Sequence, residues 1–255
     1  MESAARPPVL TVEGLGRTYD GTRALADLSF HVGAGEIVGL VGPNGAGKTT
    51  ALRSIAGILP IQEGRVVVCG HDVAHDEVAA KRTLAWVPDD PQPFDSLTVE
   101  EHLEFTAALY GVTGWRARAE ELLAQFELLE KRKALGGELS RGMRQKLACA
   151  TAWLPSPRLM LLDEPLSGLD PRGMRSAKDA IRTLARGGTA VLLSSHQLEL
   201  IEALADRILI LDRGRRVFLG TLVEARALVA GAAGTSLEEI FLAATGKPGE
   251  TGARS

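Results

Sequence analysis

The spacing of apolar and polar positions changes several times along this chain. Residues 9 to 41 alternate short apolar runs with glycine turns such as Gly33-Ala34-Gly35, a pattern that predicts an antiparallel sheet packed beside one further strand. That strand, Ile37-Val38-Gly39-Leu40-Val41, is apolar throughout and reads as buried. Thr50 to Gly57 reads as a helix ending at glycine, and Val66-Val67-Val68-Cys69 as a short strand between Gly64 and Gly70. From Leu97 the period becomes helical. Thr98 and Glu101 form a capping box, followed by Leu103, Thr106, Ala107 and Tyr110 at helical spacing. Residues 115 to 135 continue as helix with Leu122, Leu123, Phe126 and Leu129 on one face, and a third helix starts at Ser140.

Strand-like runs return at Leu159-Met160-Leu161-Leu162, at Ala190-Val191-Leu192-Leu193 and from Ile208 to Leu211. Asp170-Pro171 predicts an N-cap and a first-turn proline, opening a helix that closes near Gly187-Gly188. Asp212-Arg213-Gly214 predicts a hairpin turn. Residues 221 to 245 read as a short helical extension and 246 to 255 as a frayed tail. The pattern is that of an α/β chain with an N-terminal antiparallel β portion and a helical insertion at about residues 91 to 155.

Composition narrows the class. A chain of 255 residues with 45% hydrophobic content can bury a sizeable core. A net charge of −3 without a long basic run argues against a nucleic-acid partner. No apolar stretch approaches the roughly 18 residues of a membrane span, and Met1 to Pro8 lacks the apolar centre of a signal peptide, so a cytoplasmic chain is expected. Cys69, placed in a strand, and Cys149, placed in a helix, are expected to be buried free thiols.

The chemistry concentrates in two places. Gly42-Pro43-Asn44-Gly45-Ala46-Gly47-Lys48-Thr49 matches the phosphate-binding pattern G-x-x-x-x-G-K-[ST] at every fixed position. It lies between a strand and a helix, an arrangement that aims backbone N–H groups and a helix N-terminus at a phosphate chain. Glycines allow close backbone approach, Lys48 can reach terminal phosphates, and the Thr49 hydroxyl can join a Mg²⁺ shell. The second place is Asp163-Glu164, at the end of an apolar strand, where open α/β sheets bind ligands. Asp163 suits Mg²⁺, directly or through water. Glu164 can orient or deprotonate a water.

The order of these features over residues 9 to 220 resembles an ATP-binding cassette (ABC) transporter ATPase. Leu139-Ser140-Arg141-Gly142-Met143-Arg144-Gln145 is similar to that family's L-S-G-G-Q signature, with Arg141 in place of a glycine and Met143 in place of the glutamine, as in cassettes serving exporters of drugs, lipids or polysaccharides. The resemblance implies a P-loop NTPase core with an N-terminal antiparallel β subdomain and an inserted α-helical subdomain. It implies a cassette over residues 1–220 and an extension over 221–255.

It further implies ATP bound by Gly42, Pro43, Asn44, Gly45, Ala46, Gly47, Lys48, Thr49 and Thr50, with Tyr19 stacked on adenine. Mg²⁺ would be held by Thr49 and Asp163, and also by Asp89, which stands where the family usually has glutamine. Glu164 and His196 would be catalytic. Ser140, Gly142 and Asp170 would face the ATP of a partner cassette in a head-to-tail dimer. A separately encoded transmembrane permease is implied, with the chain on the inner face of the membrane and export as the direction. A soluble ATP-driven switch acting on the ribosome or DNA is the alternative; such relatives carry two cassettes or a long coiled-coil insertion, and this chain has neither. A P-loop GTPase would need N-K-x-D, which the sequence lacks.

Overall fold

The structure, a computed structural model, describes residues 7–228 and 237–244. Among these residues two sheets form. The smaller is antiparallel and contains β1 (Leu10–Tyr19), β2 (Thr22–Val32), β4 (Glu63–Val68) and β5 (His71–Asp72), in the order β2-β1-β4-β5. The larger contains β3 (Ile37–Val41), β6 (Leu84–Val87), β7 (Leu159–Asp163), β8 (Ala190–Ser194), β9 (Arg207–Asp212) and β10 (Arg215–Gly220), in the order β10-β9-β3-β8-β7-β6. Its neighbours pair in parallel except for the β9–β10 hairpin.

The strands β3, β7 and β8, apolar except for Asp163 and Ser194 at the ends of β7 and β8, are buried along their whole length, as strands covered on both faces must be. Side-chain alternation divides them between two cores. Val38, Leu40, Leu159, Leu161, Ala190 and Leu192 face the core shared with the small sheet and α1 (Lys48–Ile55). Ile37, Val41, Met160, Leu162, Val191 and Leu193 face the opposite core, built with α3 (Val99–Tyr110), α4 (Trp115–Gln125), α5 (Arg141–Trp153), α6 (Pro171–Arg186) and α7 (Leu198–Leu204). The register sets Leu40 and Asp163 both opposite Ser194, so β3, β7 and β8 end side by side. The loops leaving those three carboxyl ends therefore open into one crevice.

Several local expectations hold in detail. Thr98 Oγ1 accepts from the Glu101 N–H while Glu101 returns a bond to the Thr98 N–H, forming the capping box of α3. Ser140 caps α5 through the Met143 N–H at 3.3 Å, and Asp170 caps α6 through the Gly173 N–H at 2.8 Å.

As expected, β3 stands apart from the antiparallel sheet; it joins the parallel one, while β4 and β5 complete the antiparallel sheet. Other expectations are corrected. The helix expected over residues 115 to 135 ends at Gln125, because Glu127 takes a positive φ of 57° and a 3-10 turn, Leu129–Lys131, follows. Cys69 lies past β4 in a turn with φ 51° and is only half-buried; Cys149 is buried, and burial pushes its thiol up to about 12. The short α2 (Glu77–Thr83), β6 and α7 carried no period long enough to read. In the extension, α8 (Leu222–Leu228) and α9 (Leu237–Ala244) form, and the tail expected over 246 to 255 lies outside the described residues. No helix among the described residues is long and apolar enough to cross a membrane.

Candidate functional site

The crevice is a cleft of about 510 Å³ lined by Tyr19, Ala24, residues 44 to 50, Asp89, Asp163, Glu164, Ser167 and His196. Its floor is the loop from β3 into α1. Gly47, at the N-cap of α1, has φ 103°, and a Cβ there would come within 2.6 Å of the Ala24 carbonyl oxygen. A Cβ on Gly42 would lie 2.5 Å from the Leu211 oxygen. Contact excludes a side chain at both positions, and at Gly47 the left-handed backbone does so as well. No side chain caps α1, so its first-turn N–H groups stay available to an anion.

Lys48 folds back over this loop, its Nζ donating to the Gly42 oxygen at 2.7 Å and the Pro43 oxygen at 3.2 Å. Burial draws its ammonium below the ordinary lysine value, and the carboxylates of Glu164 and Asp163 oppose that shift. Gly42 and Pro43 contribute these oxygens from behind the loop and are not part of the cleft lining.

The acidic wall comes from the end of β7. Asp163 is 4% exposed and accepts a 2.5 Å bond from the Ser194 hydroxyl on β8. Glu164 has φ 50°, and its N–H donates to the Ser194 oxygen at 3.1 Å. Its Oε2 accepts from His196 Nδ1 at 2.8 Å and from Ser195 Oγ at 3.2 Å. A carboxylate can only accept, so His196 carries its proton on Nδ1 in this arrangement. Tyr19 stands at the rim, 40% exposed, with the Arg17 guanidinium carbon 4.7 Å from its ring centroid.

Thr49 and Asp163 offer hard oxygen donors for a cation. Among the described residues no group of three His, Cys, Asp or Glu side chains could hold a metal alone. A cation here would share its shell with phosphate oxygens and water, which is how Mg²⁺ binds. The donor set therefore fits Mg²⁺ brought with a nucleotide.

The cleft brings together Tyr19, Asn44, Gly45, Ala46, Gly47, Lys48, Thr49, Thr50, Asp89, Asp163, Glu164 and His196. Ser140, Gly142 and Asp170 lie outside its lining. Gly142 packs against the Gly168 oxygen, where a Cβ would sit at 2.9 Å. Ser167 belongs to Ser167-Gly168-Leu169-Asp170, which resembles the family's D-loop linking two sites; sequence reasoning gave no role to Ser194, Ser195, Arg17 or Ala24. The serine pair directly follows an apolar strand, a usable signal; Ala24 had none.

A strand–loop–helix phosphate cradle after β3, a buried aspartate at the end of β7, two strands away across β8, and a glutamate beside it define a P-loop ATPase of the α/β class. The ABC transporter family profile matches residues 25–167. The daunorubicin resistance ATP-binding protein DrrA3 of Streptomyces coeruleorubidus is 38% identical over 224 residues, 87% of this chain and 71% of that protein. The daunorubicin/doxorubicin resistance ATP-binding protein DrrA of Streptomyces peucetius is 38% identical over 217 residues, 84% of this chain and 66% of its own length. The ABC-type transporter ATP-binding protein EcsA of Bacillus subtilis (strain 168) is 33% identical over 239 residues, 93% of this chain and 96% of that one. A solved ATP-binding subunit of an ABC transporter superposes with TM-score 0.89 at 33% identity, covering 93% of this chain and 99% of its own. The chain belongs to the ABC transporter family, as one of its ATP-binding ATPase subunits. The reading as a ribosome- or DNA-acting switch is not favoured by these relatives.

Proposed function

We propose that this subunit binds Mg-ATP in the cleft between Tyr19 and His196, pairs with a second cassette, and hydrolyses ATP to drive a separately encoded transmembrane permease in the export direction. One observation carries the reading. Lys48, Asp163, Glu164 and His196 meet in one cleft, while Ser140, Gly142 and Asp170 point elsewhere. The signature residues of one chain are then left for the nucleotide of another. The drug-resistance names of the relatives support export, and the family supports the permease. Nothing in the charge pattern calls for nucleic acid. The cassette body is taken as residues 1–220 with the helical insertion at 91–155, and 221–255 as an extension. The subunit would sit in the cytoplasm against the inner face of the membrane through its permease. The exposed Phe94 and Phe105, beside a groove that also includes Pro88 and Leu147, are the proposed docking face for it.

Each side chain then has a part. Backbone N–H groups of Gly45 and of residues 47 to 49 and the Lys48 ammonium hold the phosphates, while the Ala46 N–H donates to the Pro43 oxygen at 3.1 Å. Tyr19 offers adenine the ring face opposite Arg17. Thr49 and Asp163 would hold Mg²⁺, which would supply charge neutralisation of the triphosphate, with Asp89 on the same cleft wall as a further carboxylate toward that cation. Glu164 Oε2 is occupied by His196 and Ser195, so Oε1 is the oxygen that takes a proton from the attacking water. His196 fixes that carboxylate and, on taking up a second proton at Nε2, can donate to the terminal phosphate.

Direct titration with ATP tests the site. Lys48→Ala removes a charge-assisted contact of about 1.5–3 kcal/mol, so affinity falls by about 10- to 150-fold. Near-normal affinity in the variant would sink the assignment. Purification of the chain from its own membranes tests the partner, with a polytopic membrane protein expected to accompany it.

A further inference from the structure

Two residues that depart from the ABC pattern meet in this fold, although 52 positions separate them. Arg141, the first residue of α5, places Nη2 3.5 Å from Asp89 Oδ1 and 3.0 Å from Ser167 Oγ. Three separate segments converge here: the loop after β6, the loop after β7, and the start of α5. Asp89 and Ser167 line the nucleotide cleft; Arg141 stands behind them. One turn further along α5, the buried Gln145 donates from Nε2 to the Pro88 oxygen at 3.4 Å. The beginning of α5 therefore grips residues 88 and 89 at two points.

A carboxylate on the wall of a triphosphate site raises an electrostatic difficulty. Where the family has a neutral amide, Asp89 adds a negative charge that repels phosphates unless a cation offsets it. Where the family has a glycine, Arg141 supplies that cation, 3.5 Å from Asp89 Oδ1 and not itself part of the cleft lining.

We propose that Arg141 is a positioning residue that masks the Asp89 carboxylate toward the phosphates of bound nucleotide. The proposal rests on the ATP site described above and adds a dependence to it: Arg141 matters for nucleotide binding only while residue 89 is charged. Ser167 orients the guanidinium, and the two departures act as one neutral unit in place of the family's neutral amide and glycine.

The test is the affinity of a fluorescent ATP analogue measured in EDTA, so that no divalent cation contributes, with the unmodified chain, Arg141→Ala, Asp89→Asn and the double variant. Arg141→Ala should weaken binding about three- to fivefold, the size of a well-placed half-exposed charge pair. Asp89→Asn should bind at least as tightly as the unmodified chain, and the double variant should match Asp89→Asn. Raising the ionic strength should shrink the Arg141→Ala deficit, because exposed charges are screened. A merely structural role for Arg141 would not be rescued by an amide at position 89 or relieved by salt. Binding by Arg141→Ala equal to the unmodified chain would overturn the proposal by making the pair inert. A double variant as weak as Arg141→Ala alone would overturn it by separating Arg141 from Asp89. Failure of the unmodified chain to bind in EDTA and again with Mg²⁺ restored would instead remove the ATP site on which the proposal rests.

Discussion

Glu164→Gln separates the fold of the cleft from its chemistry. Glu164 Oε2 accepts 2.8 and 3.2 Å bonds from His196 and Ser195, and its side chain is 15% exposed. A glutamine can set its amide oxygen in the same place and keep both bonds as neutral ones. Each then declines from about 1.5–3 to about 0.5–1.5 kcal/mol, a loss of about 1–1.5 kcal/mol per bond and about 2–3 kcal/mol for the two. The NH2 group takes the place of Oε1, and an amide there cannot accept a proton from water. Loss of a positioned general base lowers the rate about 10²- to 10⁴-fold, a barrier increase of about 2.7–5.4 kcal/mol at about 1.36 kcal/mol per tenfold. Nucleotide affinity should stay close to that of the unmodified chain, since the phosphate contacts come from Gly45 and residues 47 to 49. Single-turnover phosphate release and direct ATP titration read the two quantities separately. Ser195→Ala is the control. It removes the 3.2 Å bond but leaves the carboxylate, so its rate should fall less than about tenfold, below the lower range for a lost base. Hydrolysis by Glu164→Gln within about threefold of the unmodified rate, set against that expected hundredfold or greater loss, would refute the assignment of Glu164 as the base.

Two further outcomes follow from contacts away from the reacting water. Ser194→Ala strips the buried Asp163 of its 2.5 Å partner, which should cost about 2 kcal/mol for a bond to a charged group and lower the melting temperature by about 4–8 °C in a chain of this size; an unchanged calorimetric midpoint would show the bond to be idle. Glu127 sits between Lys146 at 2.7 Å and Arg172 at 2.7 Å, and the Lys146 ammonium foremost holds its carboxyl below the ordinary value of 4.5. A depressed carboxylate contributes stability in full above the unfolded value and loses it as pH falls through the folded one, so the urea-unfolding midpoints of the unmodified chain and Glu127→Gln should differ at neutral pH and converge below pH 4.5; a constant gap across that range would contradict the ion-pair account.

Local chemistry made much of this fold legible, and pairing between distant segments made the rest hard to read. The phosphate loop, the Thr98–Glu101 box and the caps at Ser140 and Asp170 each lie within a few residues, and each forms as its side chains require. The end of α4 misled because Phe126 and Leu129 keep apolar positions at helical spacing while the backbone at Glu127 turns left-handed, its carboxylate held by partners on α5 and α6. The four residues of β6 carry no period of their own; their place at the sheet edge beside β7 makes them a strand. The Ser194–Asp163 bond likewise depends on β7 and β8 being neighbours, a property of strand order that no single segment contains.

The same strand order explains how adjacent carboxylates come to have different surroundings. Along a regular strand, Asp163 and Glu164 would point to opposite faces of the sheet, and one of them would be lost to the cleft. Instead β7 ends at Asp163, and Glu164 adopts φ 50°, a conformation that costs a residue with a Cβ about 1–2 kcal/mol. Two backbone bonds hold it there: the Glu164 N–H donates to the Ser194 oxygen at 3.1 Å, and the Ser167 N–H donates to the Glu164 oxygen at 3.0 Å. Because the first reaches across to β8 and the second closes the turn that follows, the strained residue is fixed from both sides. Asp163 stays in the sheet, buried and bonded to Ser194 as a carboxylate suited to a cation; Glu164 swings out to meet Ser195 and His196. A glycine at 164 would relieve the strain but carry no carboxylate, so strain at this position is the condition for setting two acidic groups, one residue apart, on the same cleft.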